Sequence, residues 1–140
     1  MSYLDWDDRM AIGHEVIDAQ HRQLVTLING IAEATARRGG RQEIGALIRA
    51  FSDYAQEHFS TEQDLMDSTD YPEYFLQLSS HEDCTTSALS FYRDYINGLD
   101  VSVEDFLSFV AGWFKGHTLG VDQTLRKYLK KKASPDPLLR

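Results

Sequence analysis

The sequence predicts an all-α protein, an up-down-up-down four-helix bundle with an irregular N-terminal lead-in. Apolar residues recur at helical spacing through four long segments, and turn-forming residues separate these segments. No segment shows the alternating pattern that is typical of a strand, and the three prolines fall where a helix starts or after one has ended. Short loops between long helices favour antiparallel neighbours, which gives the up-down topology.

The N-terminal half is predicted to contain the lead-in and two helices. Residues 1–17 form the lead-in, and residues 18–132 form the bundle. The first helix spans residues 19–36 and has Asp18 as its N-cap, since an aspartate side chain can accept from the free amides of the first turn. The second helix spans residues 41–66 and carries a continuous apolar stripe.

The C-terminal half is predicted to contain two further helices and a tail. Pro72 suits the first turn of the third helix, because that turn does not need its amide proton, and Asn97-Gly98 ends the helix. Ser102 caps the fourth helix, which runs to about residue 130. Residues 133–140 form a frayed tail.

The composition limits the function classes. A chain of 140 residues with a net charge of −8 fits one acidic domain that binds neither nucleic acid nor an anionic membrane. The single cysteine, Cys84, cannot form an internal disulfide, which favours a reducing compartment and a cytoplasmic location. The sequence has no signal-peptide pattern and no apolar run of membrane-spanning length.

The most informative feature is a set of metal-ligand residues on the apolar stripes. His58 and Glu62 are four residues apart, so they share one helical face. A buried histidine–glutamate hydrogen bond would also satisfy this pair. However, all four predicted helices carry such residues: His21, His58 with Glu62, His81, and His117 with Asp122. This agreement predicts a metal site in the bundle core, suited to Fe, Mn or Zn.

The spacing of His117 and Asp122 requires an irregular helix. These residues are five apart, about 140° on an ideal helix, and would not converge. A local π-type turn would bring both onto one face, and Gly116 and Gly120 could ease it. If both residues are ligands, the fourth helix should be irregular at this point.

These residues resemble the hemerythrin family, in particular its bacterial single-domain type, the bacteriohemerythrins. The resemblance covers nearly the whole chain, including Trp6, the segment from Ile12 to Leu24, His58-Phe-Ser-Thr-Glu62, Tyr71-Pro72, and the segment from Trp113 to Asp122. It implies a non-haem site of two iron ions, bridged by an oxo or hydroxo group, that binds dioxygen reversibly. It also implies a monomer.

The resemblance implies a ligand for each iron. One iron would be held by His21 and His58, and the other by histidines of the third and fourth helices. Glu62 and Asp122 would bridge the two metals. The expected ligand set is therefore His21, His58, Glu62, His81, His117 and Asp122.

The sequence departs from the family pattern at one ligand position. Position 77, four residues before His81, should be a histidine but is Gln77. Gln77 could bind metal through its carbonyl oxygen, hold a metal-bound water, or turn away and leave a ligand position open. Glu73 and His14 are alternative substitutes, and His14 would require the lead-in to fold over the end of the bundle.

Further departures concern the ligand pocket. Cys84 replaces a bulky aromatic residue and is interpreted as a small buried apolar side chain, with a thiolate ligand as the alternative. Gly112, Gly116 and Gly120 form a row on the fourth helix, which indicates either close helix packing or a roomier pocket. Trp113, Cys84, Gly116 and Gly120 are the candidate pocket residues.

Four function classes follow from the sequence. The expected function is reversible dioxygen binding as a carrier, buffer or sensor, without enzymatic turnover. The alternatives are a diiron peroxidase or oxidase acting at the position of Gln77, an iron-binding or sensing protein without stable dioxygen binding, and a purely structural bundle.

Overall fold

Four helical segments pack side by side in the computed structural model, which describes residues 2–133. No strand occurs among these residues. The first three bundle helices are continuous, and the fourth is divided at Gly120 into α4 and α5. In chain order the helices are α1 (Glu15–Ala36), α2 (Arg41–Ser68), α3 (Tyr74–Ile96), α4 (Val103–Leu119) and α5 (Val121–Ala133). The predicted fold class is therefore confirmed.

The first helix starts earlier than predicted, and its N-cap is His14. The Nδ1 atom of His14 accepts a hydrogen bond from the backbone amide of Ile17 at 3.3 Å. Asp18 lies inside the first turn, where its carboxylate accepts from the amides of Ile12 and Gly13 at 2.8 and 3.1 Å. The prediction of Asp18 as N-cap was wrong because Asp18 stabilises the turn before the helix.

The third helix starts later than predicted. Pro72 lies two residues before the first helical residue, Tyr74, and Glu73 is the N-cap. By contrast, Ser102 caps α4 as predicted, because its side-chain oxygen accepts from the amide of Asp105 at 3.1 Å. At the other end of α3, Gly98 has a φ of +79°, which allows the chain to leave the helix directly after Asn97.

The core consists of two apolar clusters with polar residues between them. On α1, His21 lies between Ile17 of the smaller cluster and Leu24 of the larger one. The same order holds on the other helices, where Glu62 lies between Phe59 and Met66, and Asp122 lies between Phe114 and Leu125. The bundle therefore buries its metal-ligand residues between two apolar layers, away from both ends.

The lead-in packs against the bundle. A short 3-10 helix, Asp8–Met10, buries Met10, and the backbone of Leu4 exchanges two hydrogen bonds of 2.8 Å with the side chain of Asn29. The last helix extends to Ala133, and the predicted tail from residue 134 onward lies outside the described residues. No helix between residues 2 and 133 is long and apolar enough to cross a membrane.

Candidate metal centre

The six residues that match the expected ligand set lie together in the bundle core. Each has 5% or less of its surface exposed, and Gln77 beside them is completely buried. Two carboxylates and four histidines thus share one solvent-excluded region: His21, His58, Glu62, His81, His117 and Asp122.

Glu62 extends one carboxylate oxygen toward each of two histidine pairs. Its Oε1 lies 2.8 Å from the Nε2 atom of His58 and 3.2 Å from that of His21. Its Oε2 lies 2.8 Å from the Nε2 atom of His81 and 3.6 Å from that of His117. Glu62 is therefore shared between the pairs rather than bound to one histidine.

Asp122 is divided in the same way. Its Oδ2 lies 3.3 Å from the Nε2 atom of His21, and its Oδ1 lies 3.1 Å from that of His117. We call His21 and His58 the first group, and His81 and His117 the second group. Each group therefore faces one oxygen of each carboxylate.

The ligand atoms are close enough for a metal ion in each group. The atoms of His21, His58 and Glu62 lie within 4.8 Å of one another, and so do those of Glu62, His81 and His117. Six side chains with nitrogen and oxygen donors in this arrangement suit two divalent transition-metal ions that share both carboxylates.

The break at Gly120 allows His117 and Asp122 to face the same point. The last residue of α4 is Leu119, and Asp122 lies in the first turn of α5. Gly120 has φ −110° and ψ −96°, outside helical values, and its carbonyl accepts from the amides of both Gln123 and Thr124. The predicted irregularity is thus present, but it is a break between two helices, whereas the sequence suggested a π-type turn.

A chain of hydrogen bonds fixes the orientation of His58. The hydroxyl of Thr61 donates to the carbonyl of Glu57 at 3.1 Å and accepts from the Nε2 atom of Gln20 at 3.2 Å. The Oε1 atom of Gln20 is therefore free to accept from the Nδ1 atom of His58 at 2.8 Å. Because Nδ1 carries the donated proton, the Nε2 atom of neutral His58 presents a lone pair to the carboxylate.

This arrangement needs a cation between His58 and Glu62. A nitrogen lone pair and a carboxylate oxygen only 2.8 Å apart repel each other unless a proton or a metal ion lies between them. The residues therefore fit a metal on chemical grounds. Sequence reasoning missed the role of Gln20, although this residue directly precedes His21.

Replacing Gln20 with Met should weaken metal binding at the first group. The change removes the acceptor that holds His58, and loss of such a partner typically lowers metal affinity by about 10–100-fold. Competition against a chromogenic chelator would measure the affinity. Gln23→Met, an exposed change on the same helix, is the control and should leave the affinity unaltered. Equal affinities for both variants would show that Gln20 does not orient the ligand.

Ser80 and Trp113 hold His117 in the second group. The hydroxyl of Ser80 lies 2.7 Å from the Nδ1 atom of His117, and the backbone carbonyl of Ser80 accepts from the indole nitrogen of Trp113 at 2.9 Å. The indole stacks on the imidazole with a centroid distance of 4.7 Å and an interplanar angle of 15°. Of the predicted pocket residues, Trp113 thus contacts one of the candidate metal-ligand side chains, that of His117.

Aromatic rings also pack against other ligands. Phe59 stacks on His81 at a centroid distance of 4.1 Å, and Phe114 meets the ring of His21 edge-on at 5.9 Å. Both phenylalanines are buried. They limit the movement of the imidazoles and shield the ligand atoms from bulk water.

Gln77 is part of the centre and does not turn away. Its Nε2 atom donates to Asp122 Oδ1 at 2.9 Å. Its Oε1 atom is buried and has no hydrogen-bond partner within residues 2–133. The two remaining hypotheses for Gln77, metal ligation and hydrogen bonding to a metal-bound water, are both compatible with this position.

The proposed substitutes for the missing histidine do not fit. The Nδ1 atom of His14 caps α1, and the side chain of Glu73 is exposed at the start of α3. Neither residue belongs to the two clusters of ligand atoms in the described part of the chain. The structure therefore supports neither alternative, because the ring of His14 caps α1 and the side chain of Glu73 is exposed.

The pocket predictions need two corrections. Gly116 and Gly120 are exposed, so they do not line the centre. A Cβ atom at Gly112 or Gly116 would meet nothing within 4 Å, which excludes close helix packing at those two positions. Cys84 is buried in the larger apolar cluster, and burial raises the pKa of its thiol to about 12, which disfavours a thiolate ligand.

The electrostatics of the centre favour bound cations. Burial alone would raise the pKa of Glu62, but the neighbouring histidines, above all His58, hold it well below its ordinary value. Burial lowers the pKa of His81, which keeps that imidazole neutral and available as a ligand. The centre therefore combines one ionised carboxylate, Glu62, with one neutral imidazole, His81, as metal binding requires.

The metal-free protein should become less stable as the pH rises from 6.5 toward 10. Burial would lower the pKa of His117, but Asp122 and Glu62 raise it from 6.5 to about 10. The folded chain then holds a proton that the unfolded chain releases, so this stabilisation is complete below pH 6.5 and is lost near pH 10. Urea unfolding across this range would measure it. A His117→Gln variant with the same pH dependence would contradict this origin.

Comparisons with known proteins agree with the geometry. Residues 12–129 match a family model described as a hemerythrin HHE cation binding domain. A bacteriohemerythrin of Stenotrophomonas maltophilia (strain R551-3) is 28% identical over 132 residues, covering 93% of this chain and 84% of the relative. One from Clostridium acetobutylicum is 29% identical over 122 residues, covering 84% and 95%. A crystal structure of wild-type hemerythrin shares the fold, with a TM-score of 0.84 at 23% identity over 91% of this chain and 98% of that chain.

Proposed function

We propose, from the premise that this chain belongs to the hemerythrin family, that it is a non-haem diiron protein that binds dioxygen reversibly. The observation that carries the proposal is the division of both carboxylates between two histidine pairs. Glu62 and Asp122 each direct one oxygen to the first group and one to the second. A single metal ion would not require this double sharing, whereas two adjacent ions do.

The residues have distinct roles in this function. His21 and His58 would hold one iron, His81 and His117 the other, and the two carboxylates would hold both. When bound, the iron pair supplies the reversible redox chemistry that dioxygen binding needs. Gln20 keeps the lone pair of His58 aimed at its iron position, and Ser80 holds the ring of His117 in place.

The protein also shields the centre from bulk water. All six ligand residues have 5% or less of their surface exposed, and Phe59 and Phe114 cover two of the imidazoles. Exclusion of water limits irreversible oxidation, which favours a carrier, buffer or sensor over an enzyme that turns over substrate.

We propose that the protein acts as a monomer in the cytoplasm.

Anaerobic loading with ferrous iron, followed by air, tests this function. Iron analysis should give two irons per chain. The visible spectrum should show new absorption bands that disappear on deoxygenation. Direct conversion to a ferric form without a reversible species would favour a redox protein. One iron per chain would exclude the dinuclear centre.

A further inference from the structure

The amide oxygen of Gln77 is a buried acceptor without a donor. Gln77 is fully buried, and no group in residues 2–133 donates a hydrogen bond to its Oε1 atom. An unsatisfied buried acceptor destabilises the folded state of a protein. This oxygen is therefore suited to a donor that binds in the centre.

The orientation of this amide is determined by Asp122. The amide atom next to Asp122 Oδ1, at 2.9 Å, must be the one that carries hydrogen, because an ionised carboxylate only accepts. A reversed amide would bring two acceptor oxygens together. The oxygen of Gln77 is consequently the atom left without a partner.

Each metal position would also have coordination sites that the chain does not fill. Each group offers two imidazole nitrogens and one oxygen from each carboxylate, which makes four donors. Iron and manganese ions commonly take up to about six ligands, and sites with two histidines and a carboxylate keep open positions. Both positions therefore leave coordination sites to small ligands.

The two positions differ in whether an unused hydrogen-bond acceptor lies beside them. Beside the first group, Phe114 packs against His21, and both amide atoms of Gln20 already have partners. Beside the second group, Gln77 offers an unused acceptor one helical turn from His81. A ligand with an O–H group can therefore donate a hydrogen bond at the second group.

We propose that the second group is an exchangeable binding position for a small ligand that carries an O–H group. Water is the simplest such ligand, and hydrogen peroxide belongs to the same class. The ligand binds the metal held by His81 and His117 and donates a hydrogen bond to Gln77 Oε1. Gln77 then has two roles. Its amide oxygen binds the small ligand, and its amide nitrogen keeps Asp122 in place. The inference rests on the proposed dinuclear function.

Water-proton relaxation of the protein loaded with Mn²⁺ tests the inference. Manganese is paramagnetic, so exchangeable water in its coordination shell shortens the relaxation time of bulk water. The Gln77→His variant should fill one open coordination site of the second metal with an imidazole and lower the relaxation enhancement, because that metal then binds less water. Gln77→Met, which keeps the size but removes the acceptor, should also lower it. Metal content is measured on every sample.

Gln63→Met provides the matched control. Gln63 is half-buried next to Glu62, but its amide donates to the hydroxyl of Tyr74, away from the ligands. This variant should keep the wild-type relaxation enhancement. If the Gln77→His variant fails to bind two ions, the inference is tested by comparing the relaxation enhancement of Gln77→Met with that of the wild type.

The outcomes separate the two proposals. Two manganese ions per chain with equal relaxation enhancement in wild type and both Gln77 variants would overturn the inference and leave the dinuclear centre intact. Fewer than two ions in the wild type would overturn both. A decrease confined to the Gln77 variants supports an exchangeable ligand at the second group.

Discussion

The Glu62→Gln variant is expected to lose at least one of the two metal ions per chain. Glu62 is completely buried and gives one oxygen to each histidine group. The substitution preserves shape but removes the negative charge and turns one oxygen into an NH₂ group, which cannot ligate a cation. Because metal binding stabilises only the folded chain, the loaded variant should also lose the increase in melting temperature that metal gives the wild type.

Metal analysis after ferrous loading and dialysis, followed by thermal unfolding, would measure both effects. Glu57→Gln is the matched control, since Glu57 lies on the same helix but its side chain is exposed. The control should retain two metal ions and the wild-type melting temperature. Retention of two tightly bound ions by Glu62→Gln would show that this carboxylate is not shared between metals.

The Gly120→Ala variant is expected to be destabilised by roughly 1–3 kcal/mol, the usual range for a steric conflict in a packed site. A Cβ atom at this position would lie 2.5 Å from the backbone carbonyl oxygen of Gly116. A backbone atom cannot move aside as the end of a flexible side chain can. Relief of this conflict would shift the start of α5 and with it Asp122. Metal affinity should therefore fall together with stability.

Gly112→Ala is the control, and its expected effect has the opposite sign. Gly112 lies within α4 and is exposed, and a Cβ atom added to it would have no neighbouring atom within 4 Å. Alanine at an exposed helical position is more favourable than glycine by about 1 kcal/mol. Urea unfolding of both variants would measure the two effects. Destabilisation of similar size in both would indicate a general helix effect and not a conflict at the break.

The cluster of candidate ligand residues could be predicted because such residues recur on the buried face of every helix. A polar residue such as His21 or Glu62 within an apolar stripe is visible from spacing alone. The need for an irregular fourth helix was visible too, since five residues do not span a whole number of turns. Whether the chain would bulge or break there depends on packing around Gly120, which spacing does not contain.

The supporting hydrogen bonds were not predictable in the same way. Gln20 and Ser80 lie on helices other than those of the histidines they contact, so their partners depend on helix rotation and side-chain rotamers. The glycine row was misread because exposed and buried glycines look alike in a sequence. The start of α1 was misplaced because histidine, the residue at position 14, is a less common N-cap than aspartate, the residue at position 18.

The stacking of Trp113 on His117 gives the molecule an internal optical reporter. Of the two tryptophans in the chain, Trp6 lies in the lead-in beneath the guanidinium of Arg22, whereas Trp113 is 4.7 Å from a ligand imidazole. A paramagnetic or strongly absorbing metal bound to that imidazole would quench the indole emission of Trp113. Fluorescence of a Trp6→Phe protein would therefore follow occupancy of the second group in real time, without any added dye.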